Sequence, residues 1–494
     1  MNFDHKNPPK GTIRDWLDYR AKSGGVAMVF PESDDTLSWD ILHTKANSIA
    51  RTLTRQGVKK GESVAIVHPN GPDGIAALYG VLYGGFRATM INLAAGHDAI
   101  NYALSHSEAR FAFVHDSAAE LYTSAVPSGI TLISEISAQE IALHQIAPND
   151  HALLMYTSGT TGKPKGVVHT HASLLAGGWT TAIAHELTKS DRGFCVLPFY
   201  HINGLCVSLM GSLVSNGSLA VVSRFSTSQF WDQASRSAVT WFSVVPTIIS
   251  HLLHGTKDPD KECIRRLRFG RSASSALAIE TQKAFEERFN VAIIETMGLT
   301  ETAAQILSNP LPPGLRKIGS PGFSYGNQVC ILAPDQSECS CNTEGEIAVK
   351  GPNVMLEYLN NPEATESAFT NNWLRTGDLG KIDEDGYVYV TGRIKELIIK
   401  GGENIAPREI DEALYTHPDI IEAAAFARPC VTYGERVEAA VRVSKGSTLQ
   451  ESDLIETCRQ RLGKFKSPDA IFFLDELPKG PSGKIQRLKL AETL

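Results

Sequence analysis

In the first part of the chain, apolar and polar residues switch repeatedly between helical and strand-like spacing. Residues 36–56 carry apolar side chains at helical spacing, and residues 63–68 form a short apolar run that predicts a buried strand. The segments AALYGVLYGG, RATMINL, NYALSHSE and RFAFVH repeat the alternation, which returns around residues 206–300. This order of elements predicts an α/β architecture built from crossover units.

The pattern changes from about residue 316, where strand-like segments separated by turns begin. QVCILA and GEIAVKG predict strands, and the turn DEDG separates LGKI from YVYVTG. Beyond it, residues 393–494 combine strand-like runs with a helix that opens at Pro407, where the missing N–H would be unpaired in any case. We therefore predict an N-terminal domain over residues 1–392, with a β-rich part over about 316–392, and a small α+β domain over 393–494.

Size and composition are those of a globular protein with several structural units. The chain of 494 residues is longer than a single hydrophobic core usually organises. With 42% hydrophobic and 20% charged residues, its composition is not that of a disordered chain. A net charge of −7 without basic runs argues against a nucleic-acid surface. Apolar runs are far shorter than the roughly 20 residues of a spanning helix, and the start is polar, so we expect no membrane span and residence in the cytoplasm.

A loop of hydroxyls, glycines and lysines, TSGTTGKPKG over residues 157–166, follows the strand-like segment HALLMY. Glycine lets backbone N–H groups approach an anion, Ser and Thr add donors, and lysine adds charge. It is not a Walker A loop, because Pro164 stands where that motif needs glycine, and no two glycines of the chain are separated by one residue, which excludes G-x-G-x-x-G. The loop predicts an anion site of another kind.

This loop resembles the phosphate-binding motif of the adenylate-forming superfamily, which contains acyl-CoA synthetases, peptide-synthetase adenylation domains and luciferases. Further segments resemble motifs of that family in the same order: Phe199-Tyr200-His201, Met297-Gly298-Leu299-Thr300-Glu301, Thr376-Gly377-Asp378, Gly392-Arg393-Ile394-Lys395 and Pro478-Lys479-Gly480-Pro481-Ser482-Gly483-Lys484-Ile485. Ordered matches over nearly the whole chain leave little room for coincidence. The resemblance implies a large N-terminal domain with two α/β sheets and a β-barrel-like subdomain, and a small mobile C-terminal domain.

The resemblance also implies a reaction, that of an acid:CoA ligase similar to the crotonobetaine/carnitine and oxalate types. Such an enzyme joins a carboxylate to the AMP part of ATP with Mg²⁺, releases pyrophosphate, and transfers the acyl group to coenzyme A. Because a carboxylate attacks an anionic α-phosphate, catalysis must come from positioning and from cations.

Catalytic, nucleotide and metal roles follow from the matched residues. By the resemblance, Lys484 would contact the carboxylate and the α-phosphate, Glu301 and Thr157 would ligate Mg²⁺, and Asp378 with Arg393 would bind the ribose. His201 is counted with Lys484 and Glu301 as catalytic. The remaining residues implied for ATP are Thr157, Ser158, Gly159, Thr160, Thr161, Gly162, Lys165, Ser274, Met297, Gly298 and Thr300.

The same resemblance implies a second set of residues, which would contact the acyl group and coenzyme A. The implied acyl pocket consists of Tyr200, His201, Arg271, Ala273, Thr296 and Gly298. Rotation at a hinge marked by Lys395 would bring Gly401 and Gly402 to the pantetheine. Arg224 and Lys466 would bind the nucleotide of coenzyme A, with an ordinary surface role as the alternative for Arg224.

Departures from the family pattern bear on the substrate. Met297 stands where an aromatic residue usually covers adenine, and a thioether can still pack there. Ala273 and Thr296 add bulk where relatives often have glycine, which favours a short acid. If Arg271 points inward, it would pair with a second anionic group such as a carboxylate or the sulfonate of sulfoacetate; a surface or bridging arginine is the alternative.

Two other functions stay open at this point. One is an adenylation enzyme for an amino acid or aryl acid that loads a carrier protein, although FYHING lacks the aspartate that pairs with a substrate ammonium. The other is an inactive nucleotide-binding regulator, against which the presence of Lys484, Glu301 and Asp378 argues. The sequence does not determine the oligomeric state, and a homodimer is one alternative that it leaves open.

Overall fold

The computed structural model describes residues 3–127, 129–137, 139–157, 164–480 and 484–494. Its helices are α1 Ile13–Ser23, α2 Trp39–Arg55, α3 Pro72–Gly84, α4 His97–His106, α5 Ala119–Ala125, α6 His171–Ala184, α7 Gly211–Ser215, α8 Phe230–Arg236, α9 Pro246–Leu253, α10 Lys261–Arg266, α11 Ile279–Phe289, α12 Pro362–Ser367, α13 Pro407–Leu414, α14 Glu451–Lys466 and α15 Arg487–Thr493. A π-helix runs over Asn203–Met210, and 3₁₀ turns over Asp116–Ala118, Thr300–Thr302 and Ile394–Glu396. Within these ranges no helix is long and apolar enough to cross a membrane.

The strands are β1 Val26–Phe30, β2 Asp35–Ser38, β3 Ser63–Val67, β4 Arg87–Met90, β5 Phe111–Val114, β6 Thr131–Leu132, β7 His151–Thr157, β8 Lys165–Thr170, β9 Arg192–Cys195, β10 Ser218–Val221, β11 Trp241–Val244, β12 Phe269–Ser272, β13 Ile293–Leu299, β14 Ala304–Ser308, β15 Phe323–Ser324, β16 Gln328–Leu332, β17 Gly345–Lys350, β18 Glu357–Tyr358, β19 Phe369–Thr370, β20 Trp373–Ile382, β21 Val388–Arg393, β22 Ile398–Lys400, β23 Glu403–Ile405, β24 Ile420–Cys430, β25 Gly434–Val443 and β26 Ala470–Phe473.

Two mixed sheets form the N-terminal part and confirm the predicted α/β class. In the part of the chain that the structure describes, one sheet has the order β15-β14-β13-β12-β11-β9-β10-β1-β2 and is parallel from β13 to β1. The other has the order β18-β8-β7-β4-β3-β5-β6 and is parallel from β7 to β6. Strands β3 and β4 are buried throughout, as parallel strands covered on both faces are.

One apolar core joins the two sheets. It contains Met28 of β1 and Leu219 of β10 from the larger sheet, Val64 of β3 from the other, and Tyr79 of α3 between them. Helices α3 and α6 are apolar on nearly every face because they are covered on all sides. One expectation from the pattern was wrong: residues 36–38 belong to β2, which pairs antiparallel with β1, and the helix begins only at Trp39.

The β-rich part contains an antiparallel sheet in the order β16-β17-β20-β19, with β21 paired to β20. The turn DEDG joins β20 to β21, as its sequence predicts. In the C-terminal part the order is β23-β22-β25-β24, with β26 parallel to β25 and a separate apolar core. Pro407 is the first residue of α13, as expected for its missing N–H.

A buried ion pair fixes the last helix to this C-terminal sheet. Arg487 of α15 donates to both carboxylate oxygens of Asp411 on α13, and it also donates to the carbonyl of Ala425 on β24 at 2.9 Å. The Asp411 carboxylate in addition accepts the backbone N–H of Ala425 at 2.7 Å. Burial lowers the pKa of the Arg487 guanidinium, but the attraction of Asp411 and Glu396 outweighs it and raises that pKa, while burial raises the pKa of Asp411.

We expect Asp411→Ala to destabilise the C-terminal part by about 3–5 kcal/mol, because it leaves a buried guanidinium without its partner. Hydrogen exchange of the β24 and β25 amides measures this change separately from unfolding of the other sheets. The matched control is Asp475→Ala, which removes an exposed aspartate of the same part of the chain. Unchanged protection in the Asp411 variant would contradict the role of the pair.

Candidate active site

A cavity of about 950 Å³ lies at the carboxyl ends of strands from both sheets. Its lining includes Tyr156 and Thr157 at the end of β7, Ala273 just after β12, and Thr300 just after β13. In open α/β sheets this edge is the usual position of a ligand site. The volume is large enough for a nucleotide together with a small acid.

A second cavity of about 210 Å³ adjoins the first and extends toward the C-terminal part of the chain. Ser274, Gly298, Arg393 and Lys484 line both cavities. The second is lined in addition by Met297, Asp378 and side chains of α13. The two spaces therefore form one continuous site between the sheets and the C-terminal part.

Thr157 and Lys165 stand opposite each other where the predicted phosphate loop begins and ends. They are register partners on antiparallel β7 and β8, and both line the larger cavity. The Lys165 Nζ atom lies 4.5 Å from the ring centroid of Tyr358, a cation–π contact that holds the ammonium at the cavity wall. Ser158, Gly159, Thr160, Thr161 and Gly162 lie outside the described residues.

Glu301 is presented to the larger cavity by the 3₁₀ turn that follows β13. The Tyr358 hydroxyl donates to Glu301 Oε1 at 2.8 Å, and burial beside that carboxylate raises the pKa of Tyr358. The turn itself is anchored by buried His169, whose Nε2–H donates to the Thr300 carbonyl at 2.7 Å. A carboxylate held at the wall of a polar cavity offers the hard oxygen donor that Mg²⁺ prefers, with phosphates and waters to complete the shell.

Asp378 and Arg393 are register partners on β20 and β21. Arg393 Nε donates to Asp378 Oδ1 at 2.5 Å, and the attraction of this carboxylate raises the pKa of Arg393 although burial opposes the shift. Asp378 is only 5% exposed, and it faces the smaller cavity. A buried carboxylate that pairs with an arginine at the wall of a cavity is suited to accept hydrogen bonds from neighbouring hydroxyls.

Lys484 is the cation that the C-terminal part brings to both cavities. Its Nζ lies 3.9 Å from Glu396 Oε1, and Glu396 also faces Arg487 at 3.4 Å. Burial lowers the pKa of Lys484, and repulsion from Arg393 adds to that effect. This arrangement puts a half-buried ammonium at the wall that the two cavities share.

Arg271 lies at the other end of the larger cavity and is only 1% exposed. Its Nη1 donates to Asn203 Oδ1 at 2.7 Å and to Ser243 Oγ at 3.0 Å, and its Nε donates to Gln305 Oε1 at 3.1 Å. All three acceptors are neutral, and within the described residues no carboxylate pairs with Arg271. Burial lowers the pKa of Arg271 to about 9, so the guanidinium stays charged at neutral pH.

The backbone around this end of the cavity is tightly constrained. Ser274 has a φ of 76°, and its Oγ accepts a hydrogen bond from Asn203 Nδ2 at 3.2 Å. A Cβ atom at Gly298 would lie 1.6 Å from the Ala304 carbonyl oxygen, so only glycine fits there. Ala273, Ser274, Gly298 and half-buried His201 also line the larger cavity.

Two residues predicted for the acyl pocket lie elsewhere. Thr296 lines the smaller cavity beside Met297, and its hydroxyl donates to the Ser272 carbonyl at 3.2 Å, so its bulk does not face the space next to Arg271. Tyr200 is half-buried with its ring 4.9 Å from that of His201, and it is absent from the described lining of either cavity. Tyr200 therefore contacts the gate histidine and not the pocket itself.

The residues predicted for coenzyme A are not at the cavity in this arrangement. Arg224 is exposed after β10, and the Lys466 ammonium pairs with Glu409 at 2.5 Å. Gly401 and Gly402 form the turn between β22 and β23, with φ of 61° and 87°. Lys395, predicted as the hinge, lies in the 3₁₀ turn after β21 and lines the larger cavity.

Sequence reasoning missed three residues of the site. Asn203 lies two residues after the motif Phe199-Tyr200-His201 and opens the π-helix, Gln305 is a polar residue inside the buried strand β14, and Tyr358 pairs with Glu301. A polar residue inside a buried strand, and irregular helix next to a motif, are signals that could have pointed to the first two. Tyr358 carries no such signal, because its partner is distant in sequence.

Comparison with known proteins agrees with this site. Residues 18–359 match the AMP-binding enzyme family and residues 409–484 match the AMP-binding enzyme C-terminal domain. The chain is 43% identical to a sulfoacetate–CoA ligase of Cupriavidus necator over 94% of each chain. It is 35% identical to an oxalate–CoA ligase of Arabidopsis thaliana over 90% of each.

Among solved structures, the chain is similar to the o-succinylbenzoate coenzyme A synthetase of Bacillus subtilis in complex with ATP and magnesium ion. The TM-score is 0.85 at 30% identity, over 96% of this chain and 98% of that one. The fold and the paired cavities therefore define an adenylate-forming enzyme. The chain belongs to the AMP-binding enzyme family and is an AMP-forming acyl-CoA synthetase, an acid:CoA ligase that uses ATP, Mg²⁺ and coenzyme A. Of the functions that the sequence left open, this is the one its relatives support.

Proposed function

We propose that this ligase activates a short carboxylic acid that carries a second anionic group, a dicarboxylate or a sulfonated acid such as sulfoacetate. The single observation that carries the proposal is buried Arg271, charged, facing the cavity and held by neutral oxygens alone. A buried charge without a counterion is costly, and an anionic substrate group would supply the missing partner.

The relatives support the same substrate class. Sulfoacetate, oxalate and o-succinylbenzoate, which name three of them, each carry a second anionic group besides the carboxylate that is activated. Arginine binds both carboxylates and sulfonates through paired N–H donors. The short side chains of Ala273 and Ser274 and the glycine at 298 leave room at this end of the cavity for a small group.

In the first half-reaction, the residues hold the reactants and stabilise charge. Asp378 and Arg393 bind the ribose, Met297 packs on the adenine, and the loop that starts at Thr157 and ends at Lys165 binds the β and γ phosphates. Glu301 and Thr157 hold Mg²⁺, which when bound neutralises charge on the phosphate oxygens. Lys484 places its ammonium between the acid's carboxylate and the α-phosphate, so that the carboxylate oxygen attacks phosphorus and pyrophosphate leaves.

The second half-reaction needs a thiol to reach the acyl carbonyl from which Lys484 has withdrawn. We assign residues 1–392 to the adenylation domain and 393–494 to a domain that rotates at Lys395, bringing Gly401 and Gly402 to the site while Arg224 and Lys466 meet the coenzyme A nucleotide. Among the described residues, the polar bonds that such a rotation must break include Ile279 N–H to Glu412 at 3.2 Å, Ser250 Oγ to the Ile421 carbonyl at 3.1 Å, and those from Arg408 to the Val390 and Gly319 carbonyls.

The experiment that tests the substrate class is coenzyme A-dependent AMP release from pairs of acids that differ only in the charge of the distal group. Malonate is paired with malonamate, and sulfoacetate with 3,3-dimethylbutanoate, whose tert-butyl group has a similar shape. We expect the anionic member of at least one pair to have the higher kcat/KM. Equal values within both pairs would contradict the proposal.

Replacing Arg271 with leucine is expected to lower the preference for the anionic member by roughly 10- to 100-fold. This factor corresponds to the free energy of a hydrogen bond to a charged group. The readout is the ratio of kcat/KM values, which cancels any loss of folded enzyme. Arg265→Leu, at an exposed position on α10, is the matched control and should leave the ratio unchanged. A preserved ratio in Arg271→Leu would show that another group binds the distal anion.

A further inference from the structure

Gln305 is buried behind Arg271, so that the arginine lies between Gln305 and the reacting cavity. It lies on β14 and is 0% exposed. Its Oε1 accepts from Arg271 Nε at 3.1 Å and from His185 Nε2 at 3.2 Å, and its Nε2 donates to the Thr180 carbonyl at 3.4 Å. The side-chain amide therefore makes hydrogen bonds with both of its ends.

The groups around this amide add no negative charge. His185 is fully buried, and burial together with repulsion from Arg271 lowers its pKa well below the usual range, so the ring is neutral. On the other side of the guanidinium stand Asn203 and Ser243, both neutral. Arg271 is thus oriented by three oxygens, none of which cancels its charge.

A carboxylate would fit the same position. Glutamate has nearly the shape of glutamine and would accept from Arg271 at least as strongly, in a buried ion pair, at the cost of the 3.4 Å hydrogen bond that Gln305 Nε2 donates to the Thr180 carbonyl. An arginine neutralised in this way would no longer attract an anionic group of the substrate. The added carboxylate would also repel that second negative group.

We propose that Gln305 is a positioning residue that determines specificity: it fixes the direction of the Arg271 guanidinium while leaving the whole positive charge for the distal group of the acid. This inference rests on the proposed substrate class, because Arg271 must face that group. Asn203 has the same function at Nη1. Their neutrality, and not their hydrogen bonds alone, makes the pocket select a doubly anionic acid.

The test compares Gln305→Glu with Gln305→Met, using the malonate–malonamate and sulfoacetate–3,3-dimethylbutanoate pairs at mildly alkaline pH. We expect Gln305→Glu to lower the anionic-to-neutral ratio of kcat/KM by roughly 10- to 100-fold, mainly through a higher KM for the anionic acid. The KM for ATP and the kcat with the neutral acid should stay close to wild type. Gln305→Met has a similar volume but neither charge nor the oxygen that orients Arg271, so it should lower the ratio clearly less than Gln305→Glu does.

Each outcome decides between the two proposals. A wild-type ratio near one contradicts the substrate class itself. A high wild-type ratio that persists in Gln305→Glu, or that falls equally in Gln305→Glu and Gln305→Met, overturns the inference alone. Should Gln305→Glu not fold, Asn203→Asp places a carboxylate on the opposite side of the guanidinium, at the 2.7 Å contact with Nη1, and the same loss of preference is expected.

Discussion

Replacing Lys484 with alanine is expected to slow acyl-adenylate formation by roughly 100- to 1,000-fold, the loss seen when one preorganised donor to a developing charge is removed. Lys484 lines both cavities and is half-buried, and burial lowers the pKa of its ammonium. A charge at that position acts at short range on a carboxylate and an α-phosphate that occupy the cavities, where screening by solvent is reduced.

The same substitution should leave transfer to coenzyme A from a supplied acyl-adenylate nearly unchanged, because no anionic phosphate has to be attacked in that step. Pyrophosphate release and thioester formation, followed separately in single-turnover reactions, measure the two steps. Lys489→Ala, an exposed lysine of α15, serves as the control and should alter neither step. Equal losses in both steps would refute the assignment of Lys484 to adenylation.

Replacing Asp378 with alanine is expected to lower kcat/KM for ATP by about 100-fold, because two ribose hydroxyls would lose a charged acceptor. The substitution also leaves Arg393, which donates to Asp378 at 2.5 Å, without its ionic partner beside Lys484. Burial lowers the pKa of Lys484 and the Asp378 charge opposes that shift, so loss of this charge leaves the repulsion from Arg393 uncompensated and lowers that pKa further; the loss of activity should therefore extend to kcat.

Saturation curves for ATP at fixed acid measure this effect, with Glu384→Ala on the turn between the same two strands as the control. Asp378→Asn separates the two causes, since asparagine keeps an acceptor for the ribose but removes the charge that pairs with Arg393. A KM for ATP that stays at its wild-type value in Asp378→Ala would rule out ribose binding by this carboxylate.

The arrangement of the C-terminal part also explains why the coenzyme A residues are remote. With Lys484 at the cavity, the turn containing Gly401 and Gly402 lies outside the described lining, and Lys466 is engaged by Glu409. One surface of a small domain cannot serve both half-reactions at once. A rotation at the 3₁₀ turn Ile394–Glu396 is the economical way to exchange the two surfaces.

The sequence places several residues that line the larger cavity in short motifs at the ends of strands. Thr157 ends β7 and Thr300 follows β13, at the carboxyl edge of parallel strands, whereas Lys165 and Arg393 reach the same cavity from the antiparallel strands β8 and β21. The same local reasoning failed for Thr296, because which face of β13 points to which cavity depends on the neighbouring strands β12 and β14.

By itself, the sequence determined the α/β class and most of the order of helices and strands, since these depend on local spacing, and its resemblance to the adenylate-forming superfamily implied ATP-dependent acid activation. Only the tertiary structure decided that Arg271 is buried, that it lines the larger cavity, and that Gln305, Asn203 and Ser243 hold it without a counterion. These residues come from four separate segments of the chain, and the charge balance of a pocket depends on which distant side chains meet there, which spacing along one chain does not specify.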